Sequence, residues 1–257
     1  MSAVFAGIAG ILSDMDGVWC VGAALVPGAA EALATIRDRA LPIRLVTNTT
    51  TQTAAELAER LQRMGLAFAP EEIINAPGAA ARYLRGLGRP SCHVIAAPSV
   101  RAEFAEFPAS DRPDWVVLGD IGQAWTYGVL NEAFRMLMGG ARLMAMHKGR
   151  YWQVDDGLAL DIGAFVSGLE YATGKEAVIA GKPSATMFAA ALRDLGVDAA
   201  RALMIGDDIH ADVAGAQRAG LRGVLVRTGK YREDVVRVSG VTADAVIDSI
   251  ADLARLL

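Results

Sequence analysis

The sequence predicts an α/β fold, a doubly wound parallel sheet with a second, inserted α/β domain, and three observations carry that expectation. Short apolar runs alternate with amphipathic helical stretches along the chain, and strand, helix, strand, helix in that order implies parallel strands joined by right-handed crossovers. Chemistry-bearing residues stand directly after those runs in two separated parts of the chain, Asp14 to Asn48 and Lys182 to Asp212. Ligands of open α/β sheets bind outside the carboxyl ends of strands, so such residues belong where a site would form. Between the two parts lies a stretch with its own alternation and a concentrated aromatic load: Trp115, Trp125, Tyr127, Tyr151, Trp152 and Tyr171 all fall between Pro77 and Gly181.

The first apolar run, Ala9 to Leu12, reads as a buried strand that delivers Asp14 and Asp16 and then turns at Gly17. Residues two apart in a strand share a face, so the two carboxylates leave the strand tip close together unless the backbone turns between them. They repel unless a divalent cation such as Mg²⁺, which takes oxygen ligands, lies between them. A plain acidic turn is the structural alternative, as Asp-Gly pairs often form one. Pro27 then opens a helix over Gly28 to Arg39 with Ala32, Leu33 and Ile36 on one face. A second strand, Leu41 to Val46, ends in Thr47-Asn48-Thr49-Thr50-Thr51, and Thr53 with Glu56 has capping-box spacing ahead of the helix that carries Leu57, Leu61 and Met64.

Asn75-Ala76-Pro77-Gly78 reads as a linker. Beyond it the pattern gives a helix to Gly86, a strand at Cys92 to Ala96, a helix at Val100 to Phe107, a strand at Trp115 to Leu118, a helix at Tyr127 to Met138 and a strand at Arg142 to Met146. From Gly181 the first pattern resumes with Lys182-Pro183, a helix from Ser184 to Leu195 and a strand at Ala202 to Ile205. Gly206-Asp207-Asp208-Ile209-His210-Ala211-Asp212 follows, then a helix ending at Gly220, a strand at Gly223 to Val226 and a last amphipathic helix over Val246 to Leu256. The expected division is therefore a core of 1–76 plus 181–257 and an inserted domain of 77–180.

Composition narrows the function. A chain of 257 residues with 53% hydrophobic and 21% charged residues folds into a substantial core. Its net charge of -4 argues against a nucleic-acid binder, so any phosphate chemistry needs local positive charge from a metal, a lysine or a helix N-terminus. Two cysteines, Cys20 and Cys92, are too few for a disulfide framework and read as small buried residues. The apolar opening, Ala3 to Leu12, lacks a preceding Lys or Arg and runs straight into the acidic motif, which makes it a strand rather than a secretory signal. No apolar stretch approaches the roughly 20 residues of a membrane span, and the expectation is a cytoplasmic protein.

Asp14 is the candidate nucleophile, a carboxylate able to form an aspartyl-phosphate. Asp16 stands ready to protonate the leaving oxygen and later to take a proton from water, with its backbone carbonyl a candidate metal ligand. Thr47 and Asn48 offer a hydroxyl and an amide to phosphoryl oxygens, and Lys182 an ammonium. Asp207 would complete the metal's carboxylates, while Asp208 or Asp212 would orient the shell or pair with Lys182. The competing role for the late acids is helix capping, yet three acids within Asp207 to Asp212 exceed what one cap requires. No G-x-G-x-x-G follows a strand, and Gly174-Lys175 is followed by Glu176 where a P-loop needs Ser or Thr.

In this order the stretches DMDGV, TNTT, GKP and GDDIHAD resemble the four motifs of the haloacid dehalogenase-like superfamily of aspartyl-phosphate hydrolases. The insert resembles the cap of its class IIA branch, which includes 4-nitrophenylphosphatase-like and NagD-like proteins. Asn75-Ala76-Pro77, Gly149-Arg150-Tyr151-Trp152, Gly157 to Gly163 and Gly215-Ala216-Gln217-Arg218 look closer still to the phospholysine phosphohistidine inorganic pyrophosphate phosphatase group. The resemblance implies Asp14 as nucleophile and metal ligand, Asp16 as acid/base and carbonyl ligand, Thr47, Asn48 and Lys182 on phosphate, and Asp207 on Mg²⁺. It also implies a small phosphorylated substrate and a homodimer formed through the cap.

Many caps of this branch carry Thr-Asn-Pro-Asp after a cap strand, where this chain has Met146-His147-Lys148-Gly149. His147, Lys148, Trp152 and Asp161 are the candidates for specificity. Each has a plainer role: Trp152 in the cap core, Lys148 in solvent, Asp161 as N-cap of a helix from Ile162 to Tyr171. His93 and His210 read as structural. Three other functions remain: a phosphotransferase or mutase with the same nucleophile, a haloacid dehalogenase, which leaves Asp16 and the acid cluster unexplained without metal and phosphate, and a non-catalytic phospho-ligand sensor.

Overall fold

The structure is a computed structural model that describes residues 3–154 and 157–257, with the backbone alone for residues 3, 152–154 and 158. It divides into two compact units, one of 1–47, 54–74 and 182–257, the other of 48–53 and 75–181.

The first unit is built on a sheet whose six strands run, in spatial order, Ala245–Ile247, Arg222–Val226, Ala202–Gly206, Gly10–Ser13, Ile43–Thr47 and Ile73–Asn75. The registers Gly10↔Ala202, Ile11↔Ile43, Leu203↔Arg222 and Val224↔Ala245 are all parallel. Gly10–Ser13 and Ala202–Gly206 are buried along their whole length, which is why both read as unbroken apolar runs rather than alternating ones. Helices Ala29–Asp38 and Ala54–Arg63 each bury one stripe, Ala32, Leu33 and Ile36 in the first and Leu57, Ala58 and Leu61 in the second. Both stripes join a core around Ile11, Met15, Trp19, Leu45 and Leu203.

The second unit holds a four-stranded parallel sheet in the order Val178–Ile179, Arg142–Ala145, Trp115–Leu118, Cys92–Ile95. Helices Tyr127–Met138 and Gly163–Thr173 supply Ala133, Leu137, Val166 and Leu169 to a separate core with Val116, Leu118, Leu143 and Ala145. An antiparallel hairpin pairs Tyr151–Val154 with Gly157–Leu160. Of the aromatic residues, Trp115 is buried and Trp125 stacks on Phe165 at 4.6 Å, whereas Tyr127 and Tyr171 lie on the surface.

Four sequence expectations need correction. Residues 75–78 are not a linker: Ile73–Asn75 is a strand, and Asn75 caps the helix Ala76–Gly86 by accepting from the Gly78 amide at 3.0 Å, with Pro77 in the first turn. The expected helix Val100 to Phe107 is instead Pro98–Ala102, after which the amides of Phe104, Ala105 and Phe107 bond three residues back. The stretch ending at Gly220 is a π-turn segment, Ile209–Ala214, before a short α-helix, Gly215–Arg218. The last helix is far shorter than expected: Ala245–Ile247 is an edge strand, and Ser249 with Asp252 caps a fresh start that becomes helical at Leu253–Leu256. Ile247, Ile250, Leu253 and Leu257 have near-helical spacing and share one core, so a strand followed by a turn imitated one helix stripe.

Candidate active site

Asp14 sits where the central strand stops. Its amide donates to the Ile205 carbonyl at 2.8 Å, extending the ladder by one residue. The buried Trp19 indole donates to Ser13 Oγ at 2.8 Å, and Ser13 Oγ donates to the Asp14 carbonyl at 2.8 Å, so both sides of the Asp14 backbone are held. Its carboxylate Oδ1 accepts from the Met15 amide at 2.8 Å and from Lys182 Nζ at 2.7 Å.

Lys182 Nζ also lies 2.7 Å from Asp212 Oδ1, and Asp212 Oδ2 accepts from the Asp208 amide at 3.0 Å. The four residues lie deep: Asp14 is 8% exposed, Lys182 3%, Asp207 2% and Asp212 fully buried. Ligand oxygens of Asp14, Asp207 and Asp212 all fall within 4.8 Å of one another. Burial alone would depress the Lys182 ammonium, but Asp14 and Asp212 outweigh it and hold its pKa well above the ordinary value. Burial, reinforced by Asp14 and Asp212, pushes Asp207 well above the carboxylate range. Burial also pushes Asp212 up, against the pull of Lys182. An ammonium 2.7 Å from each of two carboxylates is the geometry of an ion pair, and its single charge is less than the three carboxylates carry when ionised.

Those observations fit a divalent cation. Asp207 Oδ1 is buried and receives no hydrogen bond among the described residues, while its Oδ2 accepts from the Lys230 amide at 2.7 Å. Three carboxylates converge where Lys182 bridges two of them, and the donor set is all oxygen, as a hard cation prefers. Asp212 therefore joins the cluster as a potential ligand as well as the partner of Lys182.

Other expected residues are placed differently. The Asp16 carboxylate is not part of this cluster; its Oδ1 pairs with Arg60 Nη2 at 2.5 Å. The turn that follows the strand explains the divergence, since Asp16 forms an isolated bridge with Cys20 and the Gly17 amide donates to the Cys20 carbonyl at 2.7 Å. Thr47 closes its strand and is 2% exposed. Asn48 belongs to the second unit, where a Cβ on Gly181 would stand 2.5 Å from its Oδ1. Asp208 is the helix cap that the plainer reading allowed, accepting from the His210 and Ala211 amides at 2.9 Å. His210 is exposed.

In the second unit, His147 and Asp161 are both buried, with Nε2 3.6 Å from Oδ1. His147 Nδ1 accepts from the Gly149 amide at 3.0 Å, and Asp161 Oδ1 accepts from the Ile162 amide at 2.7 Å. The helix begins at Gly163 with Ile162 as its cap residue, so Asp161 stands one position before the place expected for it. Lys148 is exposed, as its plainer reading has it, and its Nζ pairs with Glu170 Oε2 at 2.5 Å. The side chain of Trp152 lies outside the described residues.

Sequence reasoning missed Arg60 and the segment Thr228-Gly229-Lys230. The segment follows Arg222–Val226, the neighbour of Ala202–Gly206 in the sheet, so it emerges beside Asp207. Its signal was present as a Thr-Gly turn directly after a buried strand, the same grammar as the recognised motifs. Cys20 and Cys92 are buried, and burial first, then Asp16 and Asp114 respectively, raises each thiol to about 11, which suits inert core residues.

The family model for haloacid dehalogenase-like hydrolases matches residues 11–108, and a HAD-hydrolase-like model matches 179–253. The phospholysine phosphohistidine inorganic pyrophosphate phosphatase of Mus musculus is 39% identical over 258 residues, covering 98% of this chain and 94% of that protein. The chain belongs to the haloacid dehalogenase-like hydrolases. Another relative, haloacid dehalogenase-like hydrolase domain-containing protein 2 of Homo sapiens, is 43% identical over 223 residues, 86% of this chain and 85% of its own. Among solved structures, the 4-nitrophenylphosphatase of Thermotoga maritima superposes with a TM-score of 0.92 at 26% identity, covering 98% of both chains. NagD of E. coli K-12 superposes at 0.86 with 27% identity, covering 95% of this chain and 98% of that one. As a HAD-type hydrolase with full-length relatives named as phosphatases, the chain is an enzyme of the phosphatase class.

Proposed function

We propose that this HAD-type phosphatase is Mg²⁺-dependent and hydrolyses small phosphorylated molecules through an aspartyl-phosphate on Asp14. The observation that carries the reading is the buried Asp14–Lys182–Asp212 ion pair beside Asp207, whose buried Oδ1 has no donor among the described residues. Asp14 Oδ1 is occupied by the Met15 amide and Lys182, which leaves Oδ2 as the attacking oxygen. Lys182, with Nζ 2.7 Å from Asp14 Oδ1, places its positive charge beside the nucleophile, where it offsets the negative charge of a phosphoryl group. Asp14, Asp207 and Asp212, with the Asp16 carbonyl, are the residues that would hold Mg²⁺. When bound, the cation offsets the carboxylate charge and polarises the phosphoryl group.

Asp16 donates a proton to the leaving atom and then accepts one from the water that hydrolyses the acyl phosphate. That task requires its carboxylate to exchange Arg60 for the leaving group. Thr47 and Asn48 are assigned phosphate binding on resemblance. The segments 1–76 and 181–257 are assigned the catalytic core and 77–180 the inserted cap, with His147, Lys148, Trp152 and Asp161 as its specificity candidates. A cytoplasmic location is carried over from the composition and a homodimer through the cap from the resemblance; among the described residues no helix is long and apolar enough to cross a membrane.

Phosphoamidates and pyrophosphate, the compounds in the mammalian relatives' names, join simple phosphomonoesters in the proposed substrate range. Release of inorganic phosphate from such a panel, with Mg²⁺ or EDTA, tests the reading. Mg²⁺-dependent turnover that Asp14→Asn abolishes is the expected result. No turnover by folded wild type on any compound would overturn it and favour a phosphotransferase or a sensor.

A further inference from the structure

We infer that Thr228, Gly229 and Lys230 form a clasp that fixes the Asp207 carboxylate with Oδ1 alone presented to the cation, making this segment a positioning element of the metal site. The inference rests on the metal-dependent reading above, but it concerns residues outside the four motifs.

Three contacts define the clasp. The Lys230 amide donates to Asp207 Oδ2 at 2.7 Å. The Thr228 hydroxyl donates to the Gly17 carbonyl, tying the segment to the turn that follows Asp14 and Asp16. Gly17 and Gly229 face each other across Oδ2: a Cβ on Gly17 would overlap Oδ2 and stand 3.2 Å from Gly229 Cα, and a Cβ on Gly229 would overlap both Oδ2 and Gly17 Cα. Both glycines lie in the left-handed region, at φ 89° and 59°, which side chains other than glycine rarely adopt.

The Oδ2 oxygen therefore occupies a slot between two bare Cα atoms and is closed off by one amide. That leaves Oδ1, buried and without a donor among the described residues, in a carboxylate within ligand reach of Asp14 and Asp212, as the oxygen available to the cation. A carboxylate held in this way loses no rotamer freedom when the cation arrives, and pre-organisation of this kind raises affinity. The same contacts couple the turn carrying Asp16 and Gly17 to the strand carrying Asp207. Disturbing the clasp should weaken cation binding more than substrate binding.

The test is titration of the protein with Mg²⁺ alone, read by calorimetry and by thermal shift, with KM for a phosphomonoester measured separately at saturating Mg²⁺. For Gly229→Ala we expect the Mg²⁺ dissociation constant to rise about tenfold or more, since one charge-assisted hydrogen bond must shift. Thr228→Val should raise it about threefold to tenfold, and Thr228→Ser, which keeps the hydroxyl, should return it to the wild-type value. Substrate KM should stay within about threefold in each. Wild-type Mg²⁺ affinity in folded Gly229→Ala overturns the clasp; if that variant does not fold, Thr228→Val with wild-type affinity does the same. Asp207→Asn serves as the reference for lost binding. Wild type that binds no Mg²⁺ overturns the metal-dependent reading and the clasp together, whereas intact wild-type binding lost in Asp207→Asn but retained in the clasp variants overturns the clasp alone.

Discussion

Replacing Lys182 by Met removes the buried ammonium that bridges Asp14 and Asp212 while keeping a stem of similar length. Lys182 is 3% exposed, and both of its carboxylate partners lie at 2.7 Å, so the change leaves buried charge without compensation rather than opening a cavity. Breaking a buried pair from one side costs about 3–5 kcal/mol. For a chain of this length each kcal/mol moves Tm by about 2–4 °C, so the unfolding transition should fall by roughly 6–20 °C in EDTA. The sign of the pH dependence follows from the same residues. Acids whose native pKa is raised bind more protons folded than unfolded above the ordinary carboxylate range, so their contribution to stability declines as pH rises through that window. The loss on Lys182→Met should therefore be larger at about pH 8 than at about pH 5, where the acids can protonate. Differential scanning calorimetry in EDTA at both values measures it. A fall under about 2 °C at both, or a larger loss at the lower pH, would refute the reasoning.

Three other outcomes are expected. In EDTA the wild type should lose stability as pH rises from about 5 to 8, because the raised pKa of Asp207 disfavours its ionised form in the fold; the Tm gain on adding Mg²⁺ should grow over the same interval, and a gain that shrinks with pH would count against Asp207 as a ligand. Trp19→Ala, which deletes a fully buried indole packed edge-on to Phe68 at 5.4 Å and bonded to Ser13, should cost about 3–5 kcal/mol in denaturant unfolding. Arg60→Leu removes the partner of Asp16; kcat on alkyl phosphates, which need protonation of the leaving oxygen, should change by about tenfold while kcat on 4-nitrophenyl phosphate changes by less than about threefold.

The parallel core and most of the site were legible because they depend on local grammar. A buried strand has to be apolar throughout, and the residue just beyond it is where polar chemistry begins, so the cluster members Asp14 and Asp207 stood out at strand ends. What stayed hidden depends on contacts distant in sequence. Arg60 reaches Asp16 across 44 positions, and Lys230 reaches Asp207 across 23, spacings that no periodicity marks. The direction of the Asp16 carboxylate was hidden for a related reason: two residues apart on an ideal strand share a face, but the strand ends at Ser13 and the bridge to Cys20 turns the second acid away. At the C-terminus the failure ran the other way, since Ile247, Ile250 and Leu253 face one core from a strand and a turn and so carried a helical period without a helix.

Covalent transfer to Asp14 is tested most directly by trapping. The enzyme is mixed with substrate and Mg²⁺, reduced with borohydride, which converts an acyl phosphate at an aspartate to homoserine, and digested for peptide mass spectrometry. Homoserine at position 14 in wild type, absent with EDTA and absent in Asp14→Asn, is the expected result. Mg²⁺-dependent phosphate release with Asp14 unmodified, or release that persists in Asp14→Asn, would contradict it.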